Sequence, residues 1–245
     1  MTDLKQIARP PLVEAAIEFR VSDRLSEPEL GRLDRRYNRK AGWSREELFE
    51  ITTQIHSGGS SHSRNRLGAR FRSMDGNRIV TLTHETLGIS CLAPYPGWSL
   101  FLEDVRKQYT AWRKIVGRRR LMRIGVRYIN RIDIPFAGRS VINYADYVNF
   151  QTGEPAILNA SARAWAVQVN SGIIEDNLDV NLGCASMESP LLDHVSIALD
   201  IDVFRGGVDV PQDDDDIWGL LELIRNRRTE IFHSCLKPET LALIS

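Results

Sequence analysis

Along residues 123–135 apolar and polar side chains alternate at every second position, the period of a β-strand. One parity holds Ile124, Val126, Tyr128, Ile132 and Ile134, interrupted by Asn130; the other holds Arg123, Arg127, Arg131 and Asp133 with Gly125 and Ile129. Pro135 ends the run because it lacks a ladder donor. The three arginines recur at every fourth position, roughly 13 Å apart at ~3.3 Å per residue. One face of this strand is oily and the other cationic.

The same period marks residues 13–21, with Val13, Ala15, Ile17, Phe19 and Val21 inward and Glu14, Glu18 and Arg20 on the other face. Ser26, Pro28 and Glu29 form an N-terminal helix signal, a capping box with proline in the first turn. That helix runs to about Lys40, with Leu30, Leu33 and Tyr37 on one side and Arg32, Arg35, Arg36, Arg39 and Lys40 on the other. Residues 49–57 read as a strand and Ser57–Ser63 as a flexible Gly/Ser loop. Residues 69–74 and 78–83 flank Asp75-Gly76-Asn77, a hairpin signal, and 88–93 add a strand. In residues 99–116, Leu102, Val105, Tyr109, Trp112 and Val116 recur at helical spacing, and Gly117 supplies the C-cap.

The pattern then repeats. After the 123–135 strand comes a short helix at 144–150. Strands follow at 162–173, 178–185 and 194–204, with turns at 175–177 and Gly206-Gly207. A helix over 217–236 carries Ile217, Leu220, Leu221, Ile224, Ile231 and Phe232 as its apolar stripe. Two topologically similar β-α-β-β-β-α halves, 1–117 and 118–245, are therefore expected in one compact α+β unit. We expect a large curved, mostly antiparallel sheet with helices on one face and the two first strands at its centre.

Composition narrows the classes. At 245 residues, 42% hydrophobic and 26% charged, the chain reads as a globular domain. Lys plus Arg and Asp plus Glu are 32 each, a balance that disfavours a general nucleic-acid binder. Local basic patches at 32–40 and 113–123 keep that alternative open. No apolar run reaches the ~20 residues of a membrane span, and residues 1–9 lack a signal-peptide core. Cys91, Cys184 and Cys235 form no CxxC pair, which points to a reducing cytoplasm without disulfides or zinc. Asp213–Asp216 resembles a metal-binding run, but capping and the dipole of the helix that follows explain it more simply.

The remaining candidate chemistry lies on the polar sheet faces: Glu14, Glu18, Arg20, Arg123, Arg127, Arg131, Asp133, Asp200 and Asp202. If these converge, the carboxylates would hold a divalent ion and the arginines a phosphate, as in a triphosphate tunnel enzyme. The ExExK signature of such enzymes is not met, since Ala16, Glu18 and Arg20 occupy its positions. Equally, acidic and basic strands would neutralise each other across the sheet. No nucleophile elbow, HExxH or P-loop pattern is present, and no catalytic residue, metal ligand or cofactor is assigned.

Residues 127–135, with Pro10-Pro11-Leu12-Val13-Glu14-Ala15 and the helix around Tyr109 and Trp112, resemble a sporadically distributed bacterial and archaeal family of uncharacterised proteins of about this length. The family's patchy distribution implies horizontally moving genes and hence a role in defence, toxin neutralisation or mobile elements, and the resemblance supplies no catalytic residues. The leading expectation is a non-catalytic binding or regulatory module with a protein partner or a second copy of itself. A phosphate-handling enzyme and a nucleic-acid binder stand as alternatives.

Overall fold

A computed structural model describes residues 10–39, 42–57, 59–150 and 164–244. Nine strands and four helices follow one another as β1(Leu12–Val21), α1(Glu27–Asn38), β2(Ser44–His56), β3(Gly59–Arg72), β4(Arg78–Thr83), β5(Thr86–Leu92), α2(Trp98–Val116), β6(Leu121–Pro135), β7(Ala166–Ile173), β8(Leu178–Glu188), β9(His194–Gly206), α3(Asp214–Cys235) and α4(Pro238–Ile244). The fold class is α+β, with an antiparallel sheet in the order β2-β3-β4-β5-β1-β6-β9-β8-β7. β1 and β6 are its central strands, as the two alternating runs predict. In each half the first strand lies beside the last, and the others follow outward in reverse chain order. β2 and β7 are edges, so the sheet does not close into a barrel.

The chain divides into two compact units. The first comprises Ala16–Ile124 and Gly206–Asp214. Its α1 begins at the predicted capping box: the Glu29 carboxylate accepts from the Ser26 backbone N–H at 2.8 Å and from its hydroxyl at 2.7 Å. Leu30, Leu33 and Tyr37 are buried, as are Leu102, Val105, Tyr109, Trp112 and Val116 of α2. These stripes meet strand side chains: the Phe19 and Tyr109 rings lie 4.6 Å apart, and Tyr37 stacks on Phe71 at 5.1 Å. Tyr37 Oη donates to Gln108 Oε1 at 2.8 Å, which ties α1 to α2. Gly117, at φ 76°, ends α2, a conformation that costs glycine nothing.

The β2–β3 connection departs from the expected loop. Thr53, Gln54, Ser61 and His62 belong to a continuous ladder, and pairing extends to His56↔Gly59. Hydrogen bonds from a partner strand in register override the flexible composition of Ser57–Ser63. The register shifts at Leu48/Phe49, leaving Leu67 as the extra residue of a bulge on β3. Beside it, a Cβ on Gly68 would sit 1.9 Å from the Leu82 carbonyl oxygen, so only glycine fits. β3 pairs with β4 only over Gly68–Arg72. Outward of the bulge, among the described residues, β2 and β3 pair with each other alone.

The second unit holds the described residues of Met1–Ala15, Gly125–Arg205 and Asp215–Ser245. Its core combines Val126, Tyr128, Ile132 and Ile134 of β6, Ile197, Leu199, Ile201 and Val203 of β9, and Ile217, Leu220, Leu221, Ile224 and Phe232 of α3. Asn130, the polar interruption on the oily face of β6, donates to the Leu199 carbonyl at 3.2 Å. Arg228 of α3 lies over the Tyr128 ring at 3.8 Å.

Four further differences have local causes. Val13 is exposed at the start of β1, and the inward parity begins at Ala15. The short helix is a single 3-10 turn, Tyr144–Asp146. Val148 leaves it to bridge Leu236, and the Asn149 amide donates to the Ser234 carbonyl at the end of α3. α4 is an element the apolar periodicity did not indicate; the buried Thr240 hydroxyl anchors it by donating to the Tyr147 carbonyl. β7 is exposed on both parities because it is an edge strand with Val169 uncovered. Lys40, Ala162 and Arg163, at predicted element ends, lie outside the described residues. Among the described residues, no helix is long and apolar enough to cross a membrane.

Candidate functional site

Seven of the nine sheet-face residues fall into three ion-pair groups. In the first unit Arg123 donates to Glu18 at 2.9 Å, and Arg20 reaches the same carboxylate at 3.2 Å. In the second, Arg127 forks onto Asp200 with bonds of 2.8 and 2.5 Å. That bidentate bond, ahead of the nearby charges of Asp202 and Glu14, raises the Arg127 pKa above its ordinary value. Asp202 accepts from the Asn181 amide at 3.2 Å, and Asn181 accepts from Asn170 at 2.6 Å. Further along β6, Arg131 donates to Asp133 at 3.1 Å. Asp133 also accepts from the hydroxyls of Ser189 at 3.3 Å and Ser196 at 2.5 Å.

β6, β7, β8 and β9 together shape one open hollow of about 710 Å³ on this polar face. Arg127, Asp200, Asp202, Asn181 and Gln168 supply its polar lining, and Gly183, Ala185 and Ala198 leave the space. Within it the guanidinium and the Asp200 carboxylate satisfy each other. A phosphate would have to displace Asp200 from the fork.

The basic run after α2 is neutralised as well. Arg113 pairs with Asp214, Arg118 with Asp213 at 2.5 Å, and Arg119 with Glu29. Capping and the helix dipole explained Asp213 and Asp214 at the level of sequence; in the fold they also supply counter-ions to Arg118 and Arg113. With its backbone and hydroxyl bonds to Ser26 and the charge of Arg119, Glu29 is held below the usual carboxylate range. Burial pushes the Cys184 thiol up to about 12 and the Cys235 thiol to about 11, which removes thiolate at neutral pH. His233 is shifted down by burial and by Arg228. Among the described residues, no group of three or more His, Cys, Asp or Glu side chains is placed to hold a metal ion.

Two features lay beyond the sequence reading. The first is the outer β2–β3 ribbon. From Phe49↔Arg66 to His56↔Gly59 it makes eight cross-strand pairs, about 27 Å at ~3.4 Å per residue. Its described side chains are almost all exposed, with Ile51 at 70%. Arg64 lies over Phe49 at 3.6 Å, and Thr53 pairs with His62 at 3.0 Å. One signal was available: no Asp or Glu occurs from residue 51 to 74. The second is a groove between α1 and α2 of about 500 Å³, lined by Arg36, Arg106, Lys107, Thr110, Ala111, Lys114 and Ile115 with a single carboxylate, Glu103. The α2 residues recur at helical spacing, but the sequence does not place Arg36 beside them.

A comparison with protein-family models finds no match for this chain, and a comparison with curated proteins finds none either.

Proposed function

We propose that the protein is a non-catalytic binding module that works through protein contact, with the outer β2–β3 ribbon as its contact element. The ribbon carries this reading. A two-stranded ribbon exposed on both faces is marginally stable in water by itself, and an apolar side chain such as Ile51 gains from being covered. Exposed strand edges are also templates for pairing. The sheet-face charges support the same reading, because they are engaged with one another rather than held ready for a substrate. The buried, free cysteines fit a cytoplasmic setting. The family resemblance adds a defence or toxin component as the kind of partner to seek.

The test is to remove residues 51–64 and close the hairpin between Glu50 and Asn65 with an Asn-Gly turn. Native mass spectrometry of the intact chain is expected to show a second copy or a stoichiometric partner. The shortened chain should melt at the same temperature and fly alone. A shortened chain that still assembles, or an intact chain with no companion, overturns the reading.

A second reading, a phosphate- or nucleotide-binding site, rests on the hollow at Arg127. It requires that Asp200→Ala, by freeing the fork, tighten the binding of inorganic phosphate and that Arg127→Ala abolish it. Equal binding in both variants excludes it.

A further inference from the structure

We propose that the partner of the ribbon is a second copy of this chain, joined by antiparallel pairing of the outer edge of β2 with itself about a two-fold axis at Thr53. This rests on the ribbon as the contact element and names what covers it.

Among the described residues β2 has a strand neighbour on one side alone, β3. Its other edge therefore offers a row of backbone N–H and C=O groups to an incoming strand. Edge strands are commonly blunted by shortness, proline, lysine or a bulge. The outer part of β2 has none of these. The strand is 13 residues long. It holds neither Pro nor Lys, and no Asp, Glu, Lys or Arg occurs from Ile51 to His56. The register shift lies at Leu48/Phe49 with its extra residue on β3, so the free edge runs on past it without a bulge of its own. Ile51, Thr52, Thr53 and Ile55 are β-branched, a composition that favours strand pairing.

The side chains agree. Phe49 is covered by Arg64 at 3.6 Å, whereas Ile51 is left 70% exposed. Thr52, Thr53 and Gln54 are exposed beside it. Glu50 is exposed too, and among the described residues it makes no ion pair. In one register this stretch complements itself. Antiparallel pairing about Thr53 sets Thr52 opposite Gln54, Ile51 opposite Ile55 and Glu50 opposite His56. Apolar meets apolar and acid meets histidine, and the two-fold axis repeats each pair. Neighbouring registers do worse. An axis at Thr52 leaves Glu50 opposite Gln54, and one at Ile51 sets Glu47 opposite Ile55. An axis at Glu50 opposes two like charges.

The experiment is a cysteine scan of the full chain: Ile51→Cys, Thr52→Cys, Thr53→Cys and Gln54→Cys, each oxidised with copper phenanthroline and read on a non-reducing gel. The native Cys91, Cys184 and Cys235 are free and buried, which keeps the background low. Residues opposed across a two-fold antiparallel pair have Cα atoms about 4.5–5.5 Å apart, within disulfide reach. One residue off the axis, the two copies of a position are about 8 Å apart, beyond it. Thr53→Cys should therefore cross-link most of the protein, and the other three little. Thr53→Lys, which opposes two lysines at an exposed position, should weaken the dimer about tenfold or more by native mass spectrometry. Val169→Lys, on the opposite edge β7, should leave it within about twofold.

A cross-link centred at another position overturns the proposal. So does a dimer that Val169→Lys dissociates as readily, which would mean head-to-tail pairing of β2 with β7. A different polypeptide that accompanies the intact chain and is lost with residues 51–64 overturns the second copy and leaves the ribbon reading standing. An intact chain with no companion overturns both.

Discussion

Two rows of arginine, one on β6 and one on α1, look alike in the sequence and are opposites in the fold. Each repeats at the period of its own element, and each has an apolar stripe on its reverse side. On β6, Arg123, Arg127 and Arg131 each end on a carboxylate: Glu18, Asp200 and Asp133. On α1, Arg32, Arg35 and Arg39 end in solvent, and the neighbouring Asp34 serves residues of β2 and β3. A strand in the middle of a sheet has neighbours on both sides, and those neighbours deliver side chains at fixed register to the same face. The outer face of a helix has no such neighbour. An arginine row inside a sheet is therefore expected to be answered internally, and one on an open helix face is available to something outside.

The reverse sides of the two rows should behave identically. Ile132→Ala on β6 and Leu33→Ala on α1 each empty a fully buried site and should cost about 2–5 kcal/mol in urea denaturation. A small effect at either position would mean that the row is not backed by core. Next comes Asp133→Ala, which leaves the buried Ser196 hydroxyl without its acceptor. A loss of about 1–3 kcal/mol is expected, and a neutral result would remove Asp133 from the structural account.

Smaller effects separate the charges themselves. The Arg127 and Asp200 side chains are 52% and 31% exposed, so a double-mutant cycle should give a coupling of only about 0.2–1 kcal/mol, falling with salt. Glu29 tests the acidic start of α1 against its basic stripe. Its folded pKa is depressed, so the stability it contributes is present above the unfolded carboxylate pKa. That stability is lost as pH falls through the folded value. Glu29→Gln should therefore flatten part of the acid limb of stability against pH, and an unchanged limb would sink the assignment. Last, Arg32→Ala with Arg36→Ala should move stability by no more than about 0.5 kcal/mol. A larger loss would show that the helix row is structural after all.

Much of this fold was legible locally. The alternation of β1 from Ala15 and of β6, the capping box at Ser26 and Glu29, the α2 stripe and the Asp75-Gly76-Asn77 turn depend on residues a few positions apart, and stand where the pattern put them. The β2–β3 ribbon was misread because glycine and serine signal flexibility only when no partner strand supplies a ladder. α4 was missed because its anchor, Thr240 on the Tyr147 carbonyl, joins residues far apart in the chain. The candidate sites divide in the same way.

Sequence alone determined which residues share a face, because that follows from the 2.0 and 3.6 periods of the backbone. Only the tertiary structure decided which charges were answered. Arg127 and Asp200 are 73 positions apart, and Arg113 and Asp214 are 101 apart. Strand order and helix packing, not spacing, bring each carboxylate within reach of its guanidinium, and leave the α1 arginines facing water.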